Sequence, residues 1–350
     1  MKNYNALGII LLSAALIGGC ESKKPEDFFS FDSSKLKKQY LSGETVNLAI
    51  VNANNKAIDS IVYYANDQKL TSKKDGEAFN YEIKSPKLGL QNLKALVYYD
   101  GETGGQEVFS KFEVITNIKP KVLKYTIVNT YPHDIKSFTE GLEFFRDTLY
   151  ESTGQEGASY LRKYDYKTGK VYKQTDLDAQ YFGEGITVIG NKIYQLTWRN
   201  KTGFIYNADT WKLEKTFTFD KEIEGWGMTH DDKYIYQSDG TEKVWRMDPA
   251  TQKLLDFINI YIGDTKIPQV NELELAEGKL YANVWQKDAI AVINPESGAT
   301  EGIIDFAGLR AVLKVTKDDV LNGIAYNPKT KTFFITGKNW DKMFEVKFSE

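Results

Sequence analysis

Tyr181-Phe182-Gly183-Glu184-Gly185-Ile186-Thr187-Val188-Ile189 sets one carboxylate between two glycines at the head of an apolar run, and Gly190-Asn191 follows it. The alternation from Ile186 to Ile189 predicts a half-buried strand ended by a turn. Glycine on both sides lets another backbone or a ligand come close. A Glu with apolar neighbours and poor access to water has its pKa raised toward neutrality, which suits general acid–base work. A strand-start Glu that caps backbone amides or pairs with a lysine fits the same five residues. The rest of the chain decides between them.

The stretch is one of five related units. Glu140-Gly141-Leu142, Glu184-Gly185-Ile186, Gly225-Trp226-Gly227-Met228, Asn271-Glu272-Leu273-Glu274 and Asn322-Gly323-Ile324 each lead through a turn into a second strand. Those second strands are Leu149–Thr153, Ile193–Trp198, Ile235–Asp239, Leu280–Trp285 and Phe333–Lys338. Third strands such as Val244–Asp248 and Ala289–Ile293 follow, then hairpin signals such as Lys167-Thr168-Gly169-Lys170. Four strands repeating at roughly 40 to 50 residues predict a five-bladed β-propeller over residues 121–350. The fifth unit stops after its third strand. Leu123–Val128, which has no unit of its own, is expected to supply the missing fourth and close the ring without an open sheet edge.

In such a ring, first-strand starts and second-strand ends share one mouth of the central channel. That brings together Glu140, Glu184, Trp226, Asn271 and Asn322 with Trp198, Trp285 and Lys338, and with Ser152 and Asp239 in the remaining two units. Phe138 and Phe182 stand two residues ahead of the two glutamates. An aromatic-lined pocket with a few convergent polar groups is the usual form of a small-ligand site.

Composition narrows the chemistry. The chain has 350 residues, 13% of them aromatic, and a formal charge of -3, without the basic excess of a nucleic-acid surface. One Cys and two His argue against a metal site built on those residues, and no cofactor is expected. His133 and His230 are expected to stabilise turns. The single Cys ends an apolar stretch, Ala6 to Ile17, through Gly18-Gly19-Cys20. This resembles a lipoprotein signal over residues 1–20 with Cys20 as the lipidated first mature residue, though an ordinary signal peptide or a retained anchor helix also fits. Residues 21–27 then form a charged tether that holds the folded part at a membrane of a bacterial cell envelope. Residues 28–117 carry short alternating strands separated by turns, which predicts a small immunoglobulin-like β-sandwich joined through Asn117–Pro120.

Phe138-Thr139-Glu140-Gly141-Leu142, Tyr181–Gly185, Gly225-Trp226-Gly227, Asn271–Glu274, Ala282–Gln286, Asp319–Ala325 and Thr336-Gly337-Lys338 occur in that order. Together they resemble the plant and bacterial glutaminyl-peptide cyclotransferases, five-bladed propeller enzymes, over the second region only. The resemblance implies metal-free conversion of N-terminal glutaminyl residues of peptides and proteins to pyroglutamate with loss of ammonia. It places the acid–base role on Glu184, polar contacts on Asn271 and Lys338, and the aromatic pocket on Phe138, Phe182, Trp198, Trp226 and Trp285. Glu140 departs from it, because the family often has Gln there; the residue is left to bind the substrate α-ammonium or to pair with Lys338. A propeller that only binds peptide or glycan termini at the envelope is the alternative reading.

Overall fold

Strands dominate because the sequence alternates in short runs broken by Gly, Asn and Asp turns. The computed structural model describes residues 27–350 and shows an all-β chain with one short 3-10 helix, Ala307–Val312. The signal peptide, Cys20 and nearly all of the tether lie outside the described residues.

The N-terminal region holds a five-stranded sheet (Gln39–Leu41, Gln106–Ile115, Gly89–Tyr99, Ile58–Ala65, Gln68–Lys74, in spatial order) and two strand pairs, Phe29–Phe31 with Ile50–Asn52 and Thr45–Leu48 with Phe79–Glu82. Its core is built on Leu48, Ile61, Tyr63, Val97 and Val114, and it continues into Tyr261 and Ala299 of the second region. Lys87 pairs with Asp256 at 2.5 Å, the Leu88 N–H donates to the Ser297 carbonyl at 3.0 Å, and the Tyr261 hydroxyl donates to Glu113. Residues 117–120 carry no strand and run between the two regions, which share a core.

The second region contains five groups of four strands. Sheet one is Thr139–Phe145, Thr148–Thr153, Tyr160–Tyr164 and Val171–Asp176; sheet two is Gly183–Ile189, Lys192–Thr197, Thr202–Asn207 and Leu213–Thr218. Sheet three is Met228–His230, Ile235–Ser238, Lys243–Met247 and Leu254–Asn259. Sheet four (Val270–Ala276, Lys279–Val284, Ala289–Ile293, Thr300–Asp305) and sheet five (Leu321–Asn327, Thr332–Gly337, Lys342–Ser349, Lys121–Pro132) are joined into one eight-stranded sheet. The joint is the strand Lys121–Pro132. It runs antiparallel to Lys342–Ser349, as the fourth strand of sheet five, and its first three residues pair in parallel with Gly302–Ile304. The second pairing was not legible in the repeat.

The first strands neighbour one another in chain order, and the last neighbours the first. The Gly185 N–H donates to the Trp226 carbonyl at 2.8 Å, and Asn322 Nδ2 donates to the Thr139 carbonyl at 2.9 Å. A Cβ at Gly183 would lie 2.6 Å from the Thr153 carbonyl oxygen and one at Gly185 would lie 2.5 Å from that of Trp226, so only glycine permits this approach. Gly141 and Gly227 meet the next strand in the same way. With neighbours on both faces, the strand Gly183–Ile189 is buried throughout up to its last residue, Thr187 included. The half-buried expectation fails there because that expectation assumes one free face. Exposure returns only at the outermost strands, such as Leu213–Thr218.

The centre is filled with polar side chains that satisfy backbone amides. Glu272 Oε1 accepts from the Leu142 N–H at 2.8 Å, and both Glu143 oxygens accept from the Val188 N–H at 3.1 Å. Burial pushes the Glu143 carboxyl up to about 8, with Val188 and Thr187 offsetting part of the rise and His230 Nδ1 standing 3.6 Å away. A carboxyl raised on folding stabilises the protein below its unfolded pKa, and that contribution is lost as pH rises through the folded value. Glu143→Gln keeps an acceptor and removes the titration. Its unfolding free energy should match wild type near pH 4.5 and exceed it increasingly up to pH 8, by on the order of 3 kcal/mol, with a correspondingly higher melting temperature. Parallel melting curves over that range would show that Glu143 does not titrate in the fold.

Candidate active site

Four of the five first strands carry a register break at the start that recurs from unit to unit. The breaks fall between Thr139 and Gly141, Gly183 and Ile186, Val270 and Leu273, and Leu321 and Ile324. Glu140, Glu184, Asn271 and Asn322 sit inside these bulges, which unpair the backbone locally and re-aim the side chain.

Of the residues expected at the mouth, all except Asn322, Ser152 and Asp239 line one cavity of about 490 Å³. Asn322 lies behind it, donating to Glu140 Oε2 at 2.9 Å. Ser152 and Asp239 also face elsewhere, toward Gln195 and Trp245. The aromatic wall has two contacting groups: Phe138 and Phe182 meet edge to face at 6.1 Å and Phe182 meets Trp198 at 5.5 Å, while Trp226 and Trp285 meet edge to face at 6.3 Å. Glycines seat these rings. A Cβ at Gly240, whose φ is +77°, would come within 2.5 Å of the Trp226 indole.

Two carboxyls differ sharply in surroundings. Glu140 accepts from Lys338 Nζ at 2.6 Å, and that ammonium lies 4.5 Å over the Phe138 ring. The Lys338 pairing is thus present in the structure. Burial pushes the Glu140 carboxyl up, and Lys338 and Asn322 offset part of that rise. Glu184 is buried at 5% exposure, and among the described residues its carboxyl makes no side-chain hydrogen bond. Burial pushes it well above the usual carboxylate range, the Glu140 charge adds to the rise, and Lys338 moderates it. The capping and lysine-paired readings of Glu184 therefore do not describe it. Asn271 lines the cavity and is buried, with its side-chain oxygen unpartnered.

Glu224, Arg199 and Gln269 line the cavity as well and went unnoticed in the sequence. Glu224 Oε2 accepts from both the Trp198 and the Trp226 indole N–H, at 2.8 and 2.9 Å, and Oε1 accepts from Arg199 at 3.1 Å. Burial opposes its ionisation, but these donors hold its pKa below the usual value. One anionic carboxylate thus fixes two indoles. Its signal was present, because Glu224 stands two residues ahead of Trp226, the offset at which the first two units have Phe138 and Phe182.

Neither histidine merely stabilises a turn. His133 is buried and joins the Trp340 carbonyl to Glu151, at 2.8 and 2.9 Å, and His230 Nδ1 meets Thr187 Oγ1 at 2.7 Å. Among the described residues, no three His, Cys, Asp or Glu side chains are grouped to hold a metal ion. A groove of about 530 Å³ between sheets four and five is larger, but four of its charged side chains are taken up in pairs, Lys279 with Glu301 and Lys121 with Glu350, and none of the residues expected at the mouth lines it.

Comparison with known proteins selects the same region. A family model described as glutamine cyclotransferase matches residues 105–348. Glutaminyl-peptide cyclotransferase of Arabidopsis thaliana is 38% identical over 238 residues, 67% of this chain and 74% of the relative. The crystal structure of Myxococcus xanthus glutaminyl cyclase aligns with a TM-score of 0.62 at 31% identity, over 66% of this chain and 99% of that one. The ordered motifs, the aromatic cavity built from them and these two relatives lead to one statement: the chain belongs to the glutamine cyclotransferase family.

Proposed function

We propose that this protein is a glutaminyl-peptide cyclotransferase, with Glu184 as its proton shuttle. The observation that carries the reading is the buried Glu184 carboxyl, free of hydrogen bonds to the described residues and facing an indole-lined cavity of the right size for a curled side chain. The α-amine of an N-terminal glutamine attacks its own side-chain carboxamide carbon. A C–N bond forms, the amide C–N bond breaks, and ammonia leaves. The nucleophile is tethered, so folding the substrate into cyclic geometry supplies much of the rate. Phe138, Phe182, Trp198, Trp226 and Trp285 do this. Glu184 takes the proton from the attacking amine and returns it to the departing nitrogen; a carboxyl raised toward neutrality serves both steps. Lys338 keeps N–H donors beyond the one given to Glu140, and with Asn271 it serves the tetrahedral oxyanion.

The five groups of strands with neighbouring first strands support reading the second region as a five-bladed propeller, residues 121–350. The paired strands of residues 28–117 support an immunoglobulin-like sandwich. Ala6–Ile17 followed by Cys20 supports a lipid anchor at a bacterial envelope. Incubating the full chain with a Gln-initiated peptide and measuring ammonia release tests the activity; no release leaves a protein that only binds termini. Trp226→Ala should raise KM about tenfold or more with a smaller change in kcat, since a buried aromatic anchor is worth about 2 kcal/mol. An unchanged KM would make that indole part of the packing alone.

A further inference from the structure

The cavity does not end at its rim. Gln269, which lines it, also lines an adjoining hollow of about 260 Å³ walled by Ile267, Val284, Ala289, Ala291 and Ile303. The shared wall is fixed by strand pairing: Val270 pairs with Val284, and the Trp285 N–H donates to the Gln269 carbonyl at 2.9 Å. Gln269 holds a left-handed backbone, φ 61°, to make that contact.

Register explains why this space is open. Ala291 pairs with Ala282, which pairs with Leu273. At the same register the other sheets carry Arg162, Phe204, Trp245 and Phe344. Two residues earlier, on the same face, Ala289 corresponds to Tyr160, Thr202, Lys243 and Lys342. At the Ala291 register sheet four alone has a methyl where every other sheet has a large side chain, and at the Ala289 register only the Thr202 of sheet two comes near it in size. Protein interiors are close-packed, so an apolar hollow beside a site is space kept for a ligand group.

We propose that this hollow receives the side chain of the second residue of the peptide substrate and selects apolar ones. The proposal rests on the cyclotransferase reading. Cyclisation curls the first residue back on itself inside the aromatic cavity, so the rest of the peptide leaves across the rim. A second side chain that passes Gln269 meets Ile267, Val284 and the two alanines, and gains from burial in proportion to its apolar area.

The test is ammonia release by the full chain from Gln-Leu-Ala and Gln-Gly-Ala, at concentrations where the rate reports kcat/KM. The leucine peptide should be favoured about tenfold, the discrimination of an apolar pocket for a few methylenes. That ratio should fall toward one in Ala289→Phe and part of the way in Ala289→Val, which keeps the test alive if the larger side chain fails to fold. A ratio of one in wild type, or a tenfold ratio that survives the variants, overturns the subsite. A preference for Gln-Gly-Leu over Gln-Leu-Ala overturns the second-residue assignment. Absence of ammonia from every peptide instead removes the cyclotransferase reading, and the subsite with it.

Discussion

Glu184→Gln should lower kcat for pyroglutamate formation about a thousandfold and leave the fold intact. General acid–base catalysis by a placed side chain contributes roughly 10² to 10⁴. Gln has the same shape, so the rings around it keep their packing, but it carries no proton at neutral pH. Burial already disfavours the ionised form of Glu184, and the neutral isostere removes that penalty. The variant should therefore melt no lower than wild type at neutral pH. Loss of activity with a lowered melting temperature would point to misfolding, and turnover within about threefold of wild type would take the proton-transfer role away from Glu184. Glu184→Asp withdraws the carboxyl by one methylene and should fall between the two.

The largest loss of stability should come from Glu151, which lies outside the cavity. Its carboxylate is fully buried and accepts from Arg162 Nη2 at 2.6 Å and Nε at 2.8 Å, from Thr139 Oγ1 at 2.7 Å, and contacts His133 Nε2 at 2.9 Å. Arg162 is itself 4% exposed and also donates to Ser137 at 2.7 Å. Glu151→Ala leaves that guanidinium buried without its main partner, which costs about 3–5 kcal/mol. For a chain of this size the melting temperature should drop by roughly 10 °C. The same network ties sheet one to Trp340 of the closing segment and brackets Phe138, so activity should fall with it. Burial opposes ionisation of Glu151, but Arg162 and His133 outweigh it and hold the carboxyl down to about 2. A group depressed in this way stabilises the fold above its unfolded pKa, and that stability disappears as pH falls from about 4.5 toward 2. Acid unfolding of wild type should be steep in that window and shallower in Glu151→Gln. A melting temperature within a degree or two of wild type for Glu151→Ala would mean that the network is redundant.

Much of the site was legible because it is repeated. Each strand start recurs at a nearly constant spacing, so a residue's place in its unit fixes its place at the mouth. That is how Phe182, Trp198, Asn271 and Lys338 were selected from a chain with 13% aromatic residues. Glu224 escaped because it holds a charge at an offset where the first two units have phenylalanine, and a charged residue reads as solvated until its indole donors are seen. Asn322 was placed correctly by register but faces Glu140, since the bulge, rather than the spacing, aims the side chain.

By itself the sequence determined the all-β class, the repeat and the residues at one end of it, since alternation and glycine spacing are properties of a few consecutive residues. The stretch Tyr181 to Ile189 identifies a carboxylate flanked by glycines. Tertiary structure decided what those glycines admit, namely the Thr153 and Trp226 carbonyls on either side, and hence that Glu184 is buried. It also decided that Lys338 belongs to Glu140, 198 positions away in the chain, and that a hollow lies beside Ala291, at a register where the other sheets carry bulkier residues. Burial and charge pairing depend on which distant segments meet, and a local pattern carries no record of that meeting.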